Sequence, residues 1–211
     1  NPILTIYDAG GNDTLNLSGW NTNCTIDLAP GSFSSGNSMT NNIAIAYSCN
    51  IENAVGGSAA DQITGNALAN RLDGGAGNDS LFGGAGDDVL VASLGDDLLD
   101  GGDGRDSVVF SGAYGSYTYT YSDSVGFNFY STVTGSDVVR NMETFVFADG
   151  SKSISELLGN ALRSQVSISS DLTQQFEGHS GSTLFTYKLS LNVASSSVQT
   201  LNWSVQGSGL T

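Results

Sequence analysis

The chain has 211 residues, of which 21 are acidic and only 6 are Lys or Arg, for a formal net charge of −15. So few cations exclude nucleic acid and anionic membrane as partners and favour cations instead. One His and two Cys are too few for a catalytic zinc centre, and no apolar run is long enough to span a membrane as a helix.

The skew within that composition is informative, because Asp supplies 17 of the acids and Gly 28 of the residues. Neither a packed helical domain nor plain disorder has this profile. The opening Asn1-Pro-Ile-Leu-Thr-Ile-Tyr-Asp8 has no cationic start and no cleavage-type pattern, so an N-terminal secretory signal is not expected. His179 stands in Glu-Gly-His-Ser-Gly with no nucleophile motif around it and reads as a solvated loop residue.

In chain order, residues 1–55 carry three short motifs. They are Ile6-Tyr-Asp8-Ala-Gly10-Gly11-Asn-Asp13-Thr-Leu, Ile26-Asp-Leu-Ala-Pro-Gly-Ser-Phe33 and, running just past the segment, Ile51-Glu52-Asn-Ala-Val-Gly-Gly57. Composition alone would make the first an Asp/Gly turn between strands.

Residues 56–109 divide without insertion into six nonads: GGSAADQIT, GNALANRLD, GGAGNDSLF, GGAGDDVLV, ASLGDDLLD and GGDGRDSVV. The sixth position holds Asp61, Asn70, Asp79, Asp88, Asp97 and Asp106; the eighth holds Ile63, Leu72, Leu81, Leu90, Leu99 and Val108. Gly at positions 1, 2 and 4 permits tight turns or positive φ. Such turns aim carbonyl oxygens inward, where the acid adds carboxylate oxygen. An all-oxygen, anionic, flexible donor set suits Ca²⁺ better than Mg²⁺. The last three positions form a short strand with one inward apolar side chain, so two nonads make one coil. The segment holds ten Asp and two Arg, a net charge of −8 that about four divalent ions would cancel.

Residues 110–162 alternate at Tyr117-Thr-Tyr119-Thr-Tyr121 and Phe127-Asn-Phe129, which predicts antiparallel strands with an aromatic face. The stretch from Gly135 to Gly150, with a strand ending in Phe147-Ala-Asp149-Gly, resembles the segment that often closes RTX rolls, which implies a cap over the open end. Asp137, Glu143 and Asp149 could hold another ion, but solvated turn acids are the preferred reading. Ser153-Ile-Ser-Glu156 is a capping box opening a short helix to about Leu162. In 163–211, Phe185–Val193 and Leu201–Val205 alternate as strands, too few for a complete sandwich.

The nonads resemble the RTX (haemolysin-type) repeat GGxGxDxUx, matched fully by 74–82, 83–91 and 101–109. The resemblance implies an all-β, right-handed parallel β-roll with an antiparallel cap. It places Ca²⁺ between nonads n and n+2, pairing Asp61 with Asp79, Asn70 with Asp88, Asp79 with Asp97 and Asp88 with Asp106. The implied carbonyl ligands are those of Gly57, Ala59, Gly75, Gly77, Gly84, Gly86, Ser93, Gly95, Gly102 and Gly104. The second nonad departs from the pattern with Asn66, Leu68 and Asn70 in ligand places, which implies a weaker site.

The ordered motifs of 1–55 resemble the C-terminal domain of serralysin-type (M10) metalloproteases. There the segment opens the roll and binds one or two further Ca²⁺, here through Asp8, Gly10, Gly11 and Asp13, and through Asn50 and Glu52. Phe176-Glu177-Gly178 and the strands after it are similar to the opening of a Calx-β module, taken as truncated. In a calcium-dependent extracellular chain, a Cys24–Cys49 disulfide is favoured over two buried thiols.

Together the resemblances imply a monomeric, secreted, extracellular calcium-binding module without catalytic residues of its own. A covalently linked upstream zinc metalloendopeptidase and type I export are implied with it. The alternative is a structural or adhesive spacer of a large secreted RTX surface protein.

Overall fold

The computed structural model describes residues 4–163, 166–170 and 187–191. Contacts divide the chain into Asn1–Ala161 and Leu162–Thr211. Among the described residues the fold is all-β apart from a single turn of 3-10 helix at Tyr114–Ser116 and one α-helix, Ile154–Arg163. In the second unit, Val166–Ser170 pairs antiparallel with Tyr187–Leu191. The sequence readings at His179, at the Calx-β-like opening and at 201–205 lie outside the described residues.

The first unit is built on two seven-stranded sheets. One stacks Thr14–Asn16, Asn53–Val55, Arg71–Asp73, Val89–Ala92, Ser107–Phe110 and Thr144–Phe147 in parallel and ends on the antiparallel Gly150–Ser153. The other stacks Thr25–Asp27, Gln62–Thr64, Ser80–Ala85, Leu98–Asp103 and Gly135–Arg140 in parallel. It ends on the antiparallel strands Gly126–Ser131 and Thr118–Ser122. Successive nonads therefore feed alternate sheets, and the lead-in supplies the first strand of each.

Register follows from the eighth position. Ile63 pairs with Leu81 and Leu81 with Leu99; Leu72 pairs with Leu90 and Leu90 with Val108. All six side chains are fully buried. A slip of one residue would turn this apolar ladder outward.

At the far end, Phe110, Tyr117, Phe127, Phe129, Phe145 and Phe147 pack together, with Phe110 stacked on Phe147 at 5.0 Å between centroids. Leu157 of the helix is buried among the same core residues. The helix starts as the capping box predicts: Ser153 N–H donates to Glu156 Oε2 at 2.8 Å, and Glu156 N–H to Ser153 Oγ at 3.4 Å. Thus the antiparallel aromatic cap covers the end of the parallel stack.

The cysteines correct an expectation, since both are buried, free thiols. Cys24 precedes Thr25–Asp27 of one sheet and Cys49 lies before Asn53–Val55 of the other. Alternation of coils between sheets places them at turns of different columns.

Candidate metal centre in two columns of turns

In each nonad the first six positions turn the chain ahead of the apolar triplet, and the turns stack in two columns. On one, Cys24 N–H donates to Asp61 Oδ1 at 2.6 Å and Asp61 N–H to Asp79 Oδ1 at 2.8 Å. Asp79 N–H then donates to Asp97 Oδ1 at 2.9 Å, and Asp97 N–H to Asp137 Oδ1 at 3.2 Å. On the other, Asp13 N–H donates to Glu52 Oε2 at 2.9 Å, and Asn70 N–H to Asp88 Oδ1 at 2.7 Å. The same column continues with Asp88 N–H to Asp106 Oδ1 at 2.9 Å and Asp106 N–H to Glu143 Oε2 at 2.7 Å.

One carboxylate oxygen is thus consumed by the coil before it. The second oxygen, Oδ2, is buried without a hydrogen-bond partner in Asp79, Asp88, Asp97, Asp106 and Asp137. A buried acceptor left open costs about 1–3 kcal/mol, more when charged. Burial accordingly pushes the Asp79 and Asp88 carboxyls up to about 6, against the pull of the Asp61 and Asn70 N–H groups. It pushes Asp137 up to about 7, and raises Asp97 and Asp106. Among the described residues the one ion pair is the surface contact Lys152–Glu156, at 3.9 Å, so no protein cation neutralises these columns.

The glycine positions do different jobs. Position 2 has positive φ at Gly75 (92°), Gly84 (105°) and Gly102 (95°), and position 4 at Gly77, Gly86, Gly95 and Gly104. Position 1 has no such φ; a Cβ at Gly74, Gly83 or Gly101 would collide with Oδ2 of that nonad's own Asp. The position 1 glycines therefore make room for the acid, whereas positions 2 and 4 shape the turn.

The first two nonads differ. Gly57, Ala59, Asn66 and Leu68 have no positive φ. Gly57 N–H donates to Asp61 Oδ2 at 2.5 Å, and Asn66 N–H to Asn70 Oδ1 at 2.7 Å, closing each acceptor within its own turn. Asn66 Nδ2–H reaches the carbonyls of Ile51 at 2.9 Å and Leu28 at 3.2 Å; Asn70 Nδ2–H reaches that of Glu52 at 3.0 Å. Amide donors thus bolt the second nonad to the lead-in. The weaker-site expectation for Asn66, Leu68 and Asn70 overlooked this, because those carbonyls lie far away in sequence. Ser93, at position 2 of the fifth nonad, also lacks positive φ, and its N–H acts on Asp97 in the same direction as that of Asp79.

In the lead-in, Asp8 Oδ2 accepts the Gly10 N–H at 2.8 Å, Gly10 has φ 125°, and Asp13 Oδ2 is buried without a partner. A Cβ on Gly11 would fall 2.8 Å from that oxygen. Asn50 is exposed, whereas Glu52 is half-buried and tied to Asp13. Asp149 is exposed and takes the Tyr114 N–H at 2.8 Å, as a turn acid does. Asp137 and Glu143, assigned the same role from sequence, instead head the last turn of each column, and Asp137 is fully buried. Cys24 heads one column as a neutral thiol, pushed up to about 11 by burial and then by the Asp61 carboxylate.

Among the described residues, no three His, Cys, Asp or Glu side chains converge to hold a metal ion. Two stacked acids per level, with turn carbonyls around them, suit a hard cation that draws much of its shell from backbone oxygen. Open carboxylate oxygens beside glycine-walled space fit that donor set. Among the described residues, no helix is long and apolar enough to cross a membrane.

Comparison with known proteins adds a family match. The model for the peptidase M10 serralysin C-terminal family matches residues 1–202. Serralysin C of Dickeya chrysanthemi is 48% identical over 59 residues, covering 28% of this chain and 12% of that protein. Metallopeptidase AprA of Pseudomonas marginalis is 43% identical over 63 residues, or 30% of this chain and 13% of that protein. Serralysin of Proteus mirabilis gives 43% over 63 residues, with the same shares. The matched stretch is therefore about an eighth of the length of these relatives.

Proposed function

We propose, for a chain that belongs to the peptidase M10 serralysin C-terminal family, a calcium-binding β-roll module of a secreted bacterial protein. Its role is to fold and stabilise outside the cell in support of a covalently attached serralysin-like zinc metalloprotease domain. The observation that carries the reading is the open, buried Oδ2 repeated at Asp79, Asp88, Asp97 and Asp106.

Asp61 with Asp79 and Asp79 with Asp97 would hold ions on one column. Asn70 with Asp88 and Asp88 with Asp106 would do so on the other. Carbonyls of Gly57, Ala59, Asn66, Leu68, Gly75, Gly77, Gly84, Gly86, Ser93, Gly95, Gly102 and Gly104 complete the donor set. Asp8, Gly10, Gly11 and Asp13 form the lead-in site, with Glu52 and the Asn50 carbonyl as a second. Bound Ca²⁺ supplies the positive charge that lets stacked carboxylates share a buried column.

The chain's own residues explain why folding would depend on that charge. Each nonad buries one aliphatic side chain at its eighth position, too little apolar area to offset the conformational entropy of nine residues at roughly 1–2 kcal/mol each. All but the second, which carries Asn70, also stack an acid over another acid. An unfolded acidic chain inside the cell and a folded one in extracellular calcium follow, with typical affinities of extracellular modules near 10⁻⁴–10⁻³ M, on the order of the ambient concentration. Calorimetric titration with Ca²⁺, read alongside far-ultraviolet circular dichroism, tests this. Several ions should bind as strand signal appears, and chelation should reverse both. A chain that keeps its strands in chelator and takes up no calcium would defeat the proposal.

A further inference from the structure

The cap carries a cavity that the two metal columns do not use. After Gly135–Arg140 the chain crosses to the other seven-stranded sheet within residues 141–143 and re-enters as Thr144–Phe147. The hairpin turn at residues 122–125, between Thr118–Ser122 and Gly126–Ser131, lines the same space as that crossing. The enclosed volume is about 320 Å³, in the range of a small-molecule site. Phe127, Met142 and Phe145 of its lining are buried, and Phe127 meets the rings of Tyr121 and Phe145 at 4.8 and 5.1 Å between centroids. Val125 and Ile154, also in the lining, stay 39% and 38% exposed.

Charges stand around this apolar wall without protein partners. Arg140 lies opposite Asp100 in strand register, yet Asp100 Oδ1 accepts the Asn141 Nδ2–H at 2.7 Å. Arg140 turns instead to the hairpin and donates its Nε–H to the Val125 carbonyl at 2.8 Å. Gly126 makes that approach possible: a Cβ there would fall 2.5 Å from the Val139 carbonyl oxygen and 3.0 Å from Arg140 Cγ. On the anionic side stands Asp123; burial, and then this neighbouring carboxylate, raises the Tyr121 phenol and keeps it protonated. Glu143, the other lining acid, gives Oε2 to the Asp106 N–H. Neither Arg140 nor Asp123 forms an ion pair among the described residues.

A ligand with one charge would gain from one of these groups and be repelled by the other. A ligand with both charges gains from each, because hydrogen bonds between ionised groups are the strong ones. Its apolar body would cover side chains that now face water. We infer that this cavity binds the zwitterion of an apolar amino acid or short peptide, with its carboxylate on Arg140, its ammonium on Asp123 and its apolar side chain against Phe127 and Phe145. None of these residues lies in a nonad, so the inference goes beyond the calcium reading and does not rest on it.

The test titrates phenylalanine, and separately phenylalanyl-leucine, into the full chain in saturating calcium, read by amide shifts in two-dimensional nuclear magnetic resonance. Amides of residues 121–127 and 140–145 should shift saturably, and those of Gln62–Thr64 and Arg71–Asp73 should not. N-acetylphenylalanine and phenethylamine each lack one charge and should bind at least about tenfold more weakly. Arg140→Gln should weaken phenylalanine by about tenfold and leave phenethylamine unchanged; Asp123→Asn should weaken phenylalanine and leave N-acetylphenylalanine unchanged. Both side chains are exposed, so the variants keep the fold. Tighter binding of the dipeptide assigns the site to peptides, and tighter binding of phenylalanine to free amino acids. No saturable shift with either zwitterion, or equal affinity for the singly charged probes, overturns the site.

Discussion

In residues 56–73 the sixth side chain of each nonad folds back on its own turn, Asp61 onto the Gly57 N–H and Asn70 onto the Asn66 N–H. In the fully matching nonads 74–82, 83–91 and 101–109, positive φ at Gly75, Gly84 and Gly102 accompanies open Oδ2 atoms at Asp79, Asp88 and Asp106. Spacing, burial and strand register are the same in both stretches. What differs is the second acceptor: the turn's own N–H closes it at Asp61 and Asn70, whereas at Asp79, Asp88 and Asp106 it stays open, which on the proposed reading leaves it for a cation. A repeat can therefore keep its geometry while changing how many open side-chain oxygens each turn offers. The amide bolt from Asn66 and Asn70 to Leu28, Ile51 and Glu52 makes the first stretch part of the lead-in.

The largest effect expected from breaking this contrast is at Asp88, shared by the proposed Asn70–Asp88 and Asp88–Asp106 sites. Asp88→Asn should weaken two sites together. At calcium 100-fold above the dissociation constant, each site contributes about 2.7 kcal/mol by linkage, so about 5 kcal/mol of holo stability should go. Denaturant titration in calcium measures it, and a loss below about 1 kcal/mol would show that Asp88 holds no ion.

Asn66→Ala is the matching change in the self-satisfied stretch. It removes donors from the Leu28 and Ile51 carbonyls and should cost about 1–3 kcal/mol. The calorimetric ion count should not move. A drop in that count would mean that the Asn66 side chain, and not its carbonyl alone, helps to hold an ion.

The most diagnostic effect is on the calcium-free chain as pH changes. Buried Asp79 and Asp88, at about 6, and Asp137, at about 7, bind protons more tightly folded than unfolded, where the ordinary value is 3.8. Protonation thus stabilises the fold: the contribution is complete below about pH 4 and is lost as pH rises through 6 to 7. Strand signal of the calcium-free chain should be greater at pH 4 than at pH 8, mainly from 74–109 and 132–140. Signal that instead grows with pH would contradict the buried, uncompensated acids.

Local chemistry in the sequence determined the coil length, the inward aliphatic ladder and the acids at 61, 79, 88, 97 and 106, because a strict period puts equivalent residues at equivalent angles on every turn. The aromatic cap and the Ser153–Glu156 helix start were legible for the same reason, resting on alternation or on a spacing of three. Tertiary structure alone decided that Asp137 and Glu143 finish the two columns, since a hairpin separates them from the repeat and only the pairing of Leu98 with Val138 and Ser107 with Thr144 restores their phase. It also decided that Cys24 and Cys49 stay apart as thiols, and that asparagine amides answer carbonyls of the lead-in. Each of these depends on which turn lies beneath which, and that is set by stacking between coils rather than by any residue's neighbours in the chain.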